Sequence, residues 1–350
     1  MIDHLLRTGI IPIGHNLYLW EGTLGVSGFA IRAPEWYSQT GDIRAASEGG
    51  GRRMRYVEKH PMIVIAVGIM GISLSAIFVR YSTAPSPVTA VFRLLWTVLL
   101  MTPLTLGRRE TRRELKGMSR RAVALSCVSG LFLAAHFVLW FESLGHTSVA
   151  SATTIVCTEV IWVSLGFCLF MGGRLSPGAV AAIAVTLAGS LLIAWADVGS
   201  GAHLRGDLLA LLAAVAVAVY TLIGRTVRET VSTGAYTYIV YSACALTLLL
   251  TCLAQGRPLF GYGVSPVAVG LLLSVFSTLL GHSIFSWGLK YFSPSFVSAS
   301  KLCEPVAAAL LAAFLFDERP APLQLLGCAL ILGGVLWYSR IESRRERKER

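Results

Sequence analysis

The residues of this chain that could do chemistry are few, and they sit where charge is expensive. Lys301 and Glu304 stand three apart in "KLCEPVAAALLAAFLFDERP" (301–320), a run otherwise apolar enough to lie in lipid. On a continuous helix that spacing puts both on one face, where a local ion pair is available. Pro305 follows at once; it removes one backbone donor and can free a carbonyl in the preceding turn, a place where a polar ligand can bind. Arg93 and Glu159 are the other charges inside apolar stretches. Such charges face a cavity or a partner rather than hydrocarbon. The plainer readings are a satisfied Lys301–Glu304 salt bridge and an Arg93 side chain reaching back to lipid headgroups. His136 and Trp140, and likewise His282 and Ser286, are spaced four apart. Lining a cavity, they would offer titratable imidazoles and an aromatic wall to an amphipathic organic solute; packed between helices, they would only hydrogen-bond across them. Glu142 and Asp207 lie near the ends of apolar stretches and read as interface residues.

The elements that must position these residues follow from composition. The chain has 350 residues, is 55% hydrophobic and 14% charged, and has a mean hydropathy of +0.66. A soluble domain carries about 25% charged residues, so this is an integral membrane protein. From residue 61 onward it reads as ten helical spans: 62–79, 88–106, 122–141, 149–171, 178–196, 208–224, 235–254, 267–289, 294–316 and 323–339. The breaks carry Pro, Gly or charge, as at "TAPSP", "GGRLSP", "GSGAHLRGD" and "DERPAP". A β-barrel would show shorter alternating segments and is disfavoured. The cysteines all fall in apolar runs, without a CxxC pair or histidines at ligand spacing, so they read as packing residues. No metal or other cofactor is expected.

Orientation follows from lysine and arginine, which collect in cytoplasmic loops. With the N-terminus inside, the inner segments hold Arg52, Arg53, Arg55 and Lys59, the run "GRRETRRELKGMSRR", Arg174, Arg225, Arg228, Lys290 and the tail "RIESRRERKER". The outer loops hold Arg80, Arg205, Arg257 and Arg319. Both termini are therefore expected in the cytoplasm and the chain in the cell (inner) membrane. Loop topology and attraction to anionic lipid account for the net charge of +11, with no call for nucleic acid. Residues 1–60 contain neither a convincing signal peptide nor a span, and no function is assigned to them. They are expected to be a disordered extension or to precede a natural start at Met54.

A shift of 145 residues lays "EVIWVSLGFCLFMGGRL" (159–175) on "EPVAAALLAAFLFDERP" (304–320), and Glu159 on Glu304. Five spans separate the copies, so the second is inverted in the membrane, as in transporters whose substrate site lies near the midplane between halves. The segment "GHSIFSWGLKYFSPSFVSASKLCEPVAAALLAAFLFDERPAPLQLLGCALILGGVLWYSR" (281–340) resembles the second EamA repeat of the drug/metabolite transporter superfamily, and "SGLFLAAHFVLWFESLGHTSVASATTIVCTE" (129–159) resembles the first. The resemblance covers about residues 61–340 and rests on the Glu304-Pro305 helix start, the "DERP" loop and the "LQLLG" after it. It implies an all-α, ten-helix, 5+5 inverted-repeat carrier: a first repeat at 61–196, a second at 207–340 and a basic tail at 341–350. The first half departs from the pattern, with Val160 where a proline is usual and Gly173 in place of the loop glutamate.

The expectation is a secondary carrier, not an enzyme. Acting as a monomer or homodimer in the bilayer, it would export a small metabolite, an amino acid-like compound or a drug by alternating access, with protons as a coupling partner through a carboxylate such as Glu159 or Glu304. The competing class is a membrane-embedded enzyme or lipid-handling protein acting on a lipid precursor. Against it stand the lack of a catalytic dyad at helical spacing, of HExxH and of a soluble active-site loop. An ATP-driven pump is excluded by the lack of GxxxxGK[ST].

Overall fold

Serines and prolines decide where several helices begin. Ser119, Ser232 and Ser293 each accept, through the side-chain oxygen, a backbone N–H three residues on (Ala122, Ala235 and Phe296, at 3.1, 3.3 and 3.2 Å), which satisfies one orphan donor of the helix that follows. Pro87, Pro266 and Pro294 fall in a first helical turn, where the missing N–H costs nothing.

The structure is a computed structural model that describes residues 10–12, 18–20, 61–79, 81–147, 149–197, 204–304, 306–307 and 322–349. The first unit, Met1–Arg55, contributes two short antiparallel strands, β1 (Ile10–Pro12) and β2 (Tyr18–Trp20), with Ile11 opposite Leu19. The expected disordered extension, residues 1–60, otherwise lies outside the described residues.

The second unit, Tyr56–Arg350, is helical. In order it holds α1 (Pro61–Val79), α2 (Ser86–Gly107), α3 (Arg109–Gly117), α4 (Arg120–Leu144), α5 (Val149–Cys157), α6 (Glu159–Phe170), α7 (Pro177–Asp197), α8 (Leu204–Arg228) and α9 (Thr233–Ala254). There follow α10 (Ser265–Gly288), α11 (Pro294–Lys301) and α12 (Pro322–Glu349). Among the described residues eight helical stretches are long and apolar enough to cross a membrane, and Pro177–Leu192 is a shorter apolar helix. The expected span 294–316 lies partly outside the described residues.

Three features differ from the sequence expectations. The apolar run 149–171, expected as one span, is broken at Thr158 into α5 and α6. The loop between the second and third spans contains the surface helix α3, whose run of charge hides it from a hydropathy scan. The expected tail at 341–350 continues α12 as helix to Glu349.

Large apolar side chains face outward along the helices and a few charged ones face inward, the reverse of a soluble protein. Leu99, Leu169, Leu191, Leu250 and Leu336 are at least half exposed, whereas Arg93 and Glu159 are buried. Two apolar clusters fill the bundle. One is built by α2, α4, α8 and α9 around Leu94, Phe137, Val217 and Tyr241. The other is built by α1, α5 to α7, the end of α10, α11 and α12 around Ile72, Val160, Phe285 and Ile331. Each therefore mixes helices from both halves of the sequence. Glycines let helices close: an added Cβ on Gly189 would lie 2.7 Å from the Gly327 carbonyl oxygen, and one on Gly334 would lie 2.3 Å from Thr186 Oγ1.

Candidate functional site

Both halves break a helix beside a glutamate. In the first, α5 ends at Cys157, Thr158 turns, and Glu159 opens α6. The turn is closed locally by Thr158, whose hydroxyl donates to the Ile155 carbonyl at 2.6 Å. In the second, α11 ends at Lys301, Leu302 and Cys303 turn, and the chain is helical again at Glu304. The starts of α5 and α11, at Val149 and Pro294, differ by the same 145 residues as Glu159 and Glu304. Each carboxylate thus sits in the first turn of a half-helix, where unpaired N–H groups and the helix dipole favour negative charge in a place without water.

A third irregularity faces these breaks. Between Leu273 and His282, α10 is π-helical, a widened form that costs hydrogen-bond quality and recurs at functional sites. Its buried Ser274 and Thr278 meet α2: Thr97 Oγ1 donates to Ser274 Oγ at 3.0 Å, and Arg93 Nε donates to Thr278 Oγ1 at 2.8 Å.

These segments surround one partly open cavity, lying at the seam of the two apolar clusters. Arg93, His136, Trp140, Glu159, His282, Lys301 and Glu304 all line it. The fold gathers them from α2, α4, α6, α10, α11 and the half-helix after it. Ser286 does not line it; its hydroxyl is taken by that of Tyr220 at 2.8 Å. Pro305 lies outside the described residues. Ser75, Thr153 and Ser277, polar residues on the same wall, could not be picked out from the letters alone. A small hydroxyl in an apolar run is too common to stand out, and only the π turn sets Ser277 toward the cavity.

The ion pair is not the one that spacing predicts. Lys301 Nζ donates to Glu159 Oε1 at 2.8 Å, joining α11 to α6 across the halves, instead of pairing with Glu304. The turn at Leu302 and Cys303 puts Lys301 and Glu304 on different half-helices, though both still line the cavity. Arg93 does not reach headgroups either. It is 1% exposed, and its guanidinium lies 4.3 Å from the centre of the Phe137 ring, a cation–π contact away from water. Among the described residues neither Arg93 nor Glu304 has an ion-pair partner.

The aromatic wall is ordered. His136 and Trp140 stack with their planes 5° apart, and His282 meets the Phe137 ring edge-on at 5.4 Å. His136 Nδ1 lies 3.1 Å from the Ala213 carbonyl oxygen, which can only accept, so the proton is on Nδ1. Trp140 Nε1, His282 Nδ1, Ser75 Oγ and Ser277 Oγ, which line the cavity, are buried without a hydrogen-bond partner among the described residues. Buried polar atoms are nearly always satisfied, so these four are open to a further hydrogen-bond partner. The described residues contain no group of His, Cys, Asp and Glu able to hold a metal ion.

A membrane bundle with broken helices and a charged, aromatic-walled cavity at its centre has the architecture of a carrier. The comparisons define the family. Residues 204–340 match the EamA-like transporter family. A riboflavin transporter of Rhizobium johnstonii is 31% identical over 60% of this chain and 68% of its own length. A probable terminal-alkyne amino-acid exporter of Streptantibioticus cattleyicolor is 25% identical over 67% of this chain and 76% of its own length. A solved crystal structure superposes with a TM-score of 0.67 at 20% identity, covering 82% of this chain and 99% of that one. The chain belongs to the EamA-like transporter family and is a multi-pass membrane transporter.

Proposed function

We propose that the protein is a secondary carrier in the cell membrane that exports a small zwitterionic, amino acid-like solute with an aromatic or other planar side group. One observation carries the reading: Arg93 and Glu304, one charge of each sign, face the cavity without an ion-pair partner among the described residues, while Lys301 and Glu159 neutralise each other. A solute carboxylate would take the guanidinium, a solute ammonium would take Glu304, and the stacked His136 and Trp140 would hold the side group, with the orphan N–H of Trp140 as a further donor. The amino-acid exporter among the relatives supports both the solute class and the outward direction.

Alternating access is the reading supported by the paired breaks at Thr158 and Leu302–Cys303, which allow each half-helix to tilt separately. The repeats then correspond to residues 61–196 and 207–340, with both termini in the cytoplasm. Glu304 is the proton site: a proton taken up there would release the ammonium and return the empty carrier.

The test is transport by the full chain in proteoliposomes, with labelled zwitterions, anions and neutral solutes, with and without a pH gradient. Zwitterion flux driven by the gradient, and lost in both Arg93→Gln and Glu304→Gln, is the expected result. Flux of anions or neutral solutes that survives Glu304→Gln would overturn the assignment.

A further inference from the structure

We propose that α3 is a binding site for anionic phospholipid headgroups, and that it passes their occupancy to α9. Four basic residues, Arg109, Arg112, Arg113 and Lys116, are exposed on this nine-residue helix, and Arg120 and Arg121 are exposed at the start of α4. Among the described residues none of the six has an ion-pair partner. The helix cannot turn this face away. Leu115 and Met118 just beyond its end pack against the apolar cluster of α2, α4, α8 and α9, and Glu114 is anchored to the start of α9.

Neighbouring residues fix the depth of this face. On α2 the exposed side chains just before it are Leu104 and Leu106; on α4 the next exposed large apolar side chains are Val128 and Leu131. The basic cluster therefore sits where lipid-facing hydrocarbon ends, at the level of phosphodiester groups. Lys and Arg at that level are attracted to anionic lipid with energies that accumulate over the cluster. A nucleic acid or soluble acidic protein would have to dock flat against the bilayer surface, so lipid is the occupant the position favours.

Glu114 supplies the coupling. Its Oε1 accepts the Ser232 backbone N–H at 2.6 Å and its Oε2 accepts the Ser232 hydroxyl at 2.5 Å, so one carboxylate holds the N-cap of α9. Headgroups that hold α3 in place hold that cap in place too.

The experiment uses the full-length protein in phosphatidylcholine nanodiscs with phosphatidylglycerol added stepwise. It reads the motionally restricted fraction of spin-labelled phosphatidylglycerol and amide hydrogen exchange in the first turn of α9. Added phosphatidylglycerol should be retained and should slow that exchange. The combined Arg109→Gln, Arg112→Gln, Arg113→Gln and Lys116→Gln variant should need at least roughly tenfold more of the anionic lipid for the same effect, since each lost charge removes an attraction of its own. Neutralising Arg344, Arg345, Arg347 and Lys348 instead, an equal loss of charge, should leave the response in place. Glu114→Gln should keep the lipid and lose the slowing of exchange. An equal loss in the two charge variants would overturn the site. Slowing by inorganic phosphate alone in phosphatidylcholine discs would overturn the lipid, and unaltered coupling in Glu114→Gln would overturn the link to α9.

Discussion

Lys301 and Glu159 show how a buried charge is kept in an apolar bundle and what its removal should cost. The two side chains are 10% and 4% exposed, so each screens the other in place of water. Losing one partner strands the other, at a cost of about 3–5 kcal/mol, whereas losing both can be nearly neutral. Glu159→Gln and Lys301→Met should therefore each lower the melting temperature in detergent by several degrees, and the double variant should recover most of it. Equal, additive losses would mean that the two do not interact. Pairing Lys301 with Glu304 in the same cycle should give a smaller coupling, because the direct ion pair of Lys301 is with Glu159. The sequence marked every one of these charged positions, since a charge in a span stands out letter by letter. It could not assign the partner: three-residue spacing counts only on an unbroken helix, and although Pro305 marked a disturbed turn before it, the letters did not say that the break would give Lys301 to Glu159.

At the scale of elements, legibility depended on length and hydropathy. Long apolar helices were evident because a span needs about 20 apolar residues and the breaks carry Pro, Gly or charge. The helix α3 was not, because its stability comes from Leu115, Met118 and the Glu114 contact rather than from apolar content. Nor was the distal part of α12, where Glu342, in the expected tail, is buried and accepts the Ser293 backbone N–H at the start of α11 at 2.7 Å. Close packing of α7 on α12 was equally hidden in a chain rich in glycine. It can be tested at Gly334, where an added methyl would meet Thr186 Oγ1 at 2.3 Å and the Ala182 carbonyl oxygen at 3.0 Å. Gly334→Ala should destabilise by about 1–3 kcal/mol, as overpacking does. Adding Thr186→Ala removes the nearest atom and should return part of the loss; melting curves of the two variants and the wild type decide it. No return would place the strain at the Ala182 carbonyl instead.

For the whole molecule, side-chain contacts sort the loops into two sets independently of charge. Glu114 on α3 reaches Ser232 between α8 and α9, Arg225 donates to the Leu289 carbonyl at 2.5 Å beyond α10, and Glu342 on α12 reaches Ser293 before α11. These segments share one end of the bundle. Tyr81 and Thr83 bond to Ser265 and Tyr262, and Thr147 donates to Asp207, at segments that alternate with the first set along the chain. The fold thus fixes which loops lie together but not which set faces the cytoplasm. The expectation for that comes from basic residues: the first set holds "GRRETRRELKGMSRR", Arg225, Arg228, Lys290 and the basic end of the chain, and the second holds Arg205 and Arg257. Reporter fusions after residues 115 and 345 should accordingly read cytoplasmic, and fusions after 202 and 260 external. A uniform reversal would leave the bundle intact and overturn only the orientation. Residues 115 and 260 reporting the same side would contradict the contacts themselves, because no single bundle can hold α3 against Ser232 and Thr83 against Tyr262 at one face.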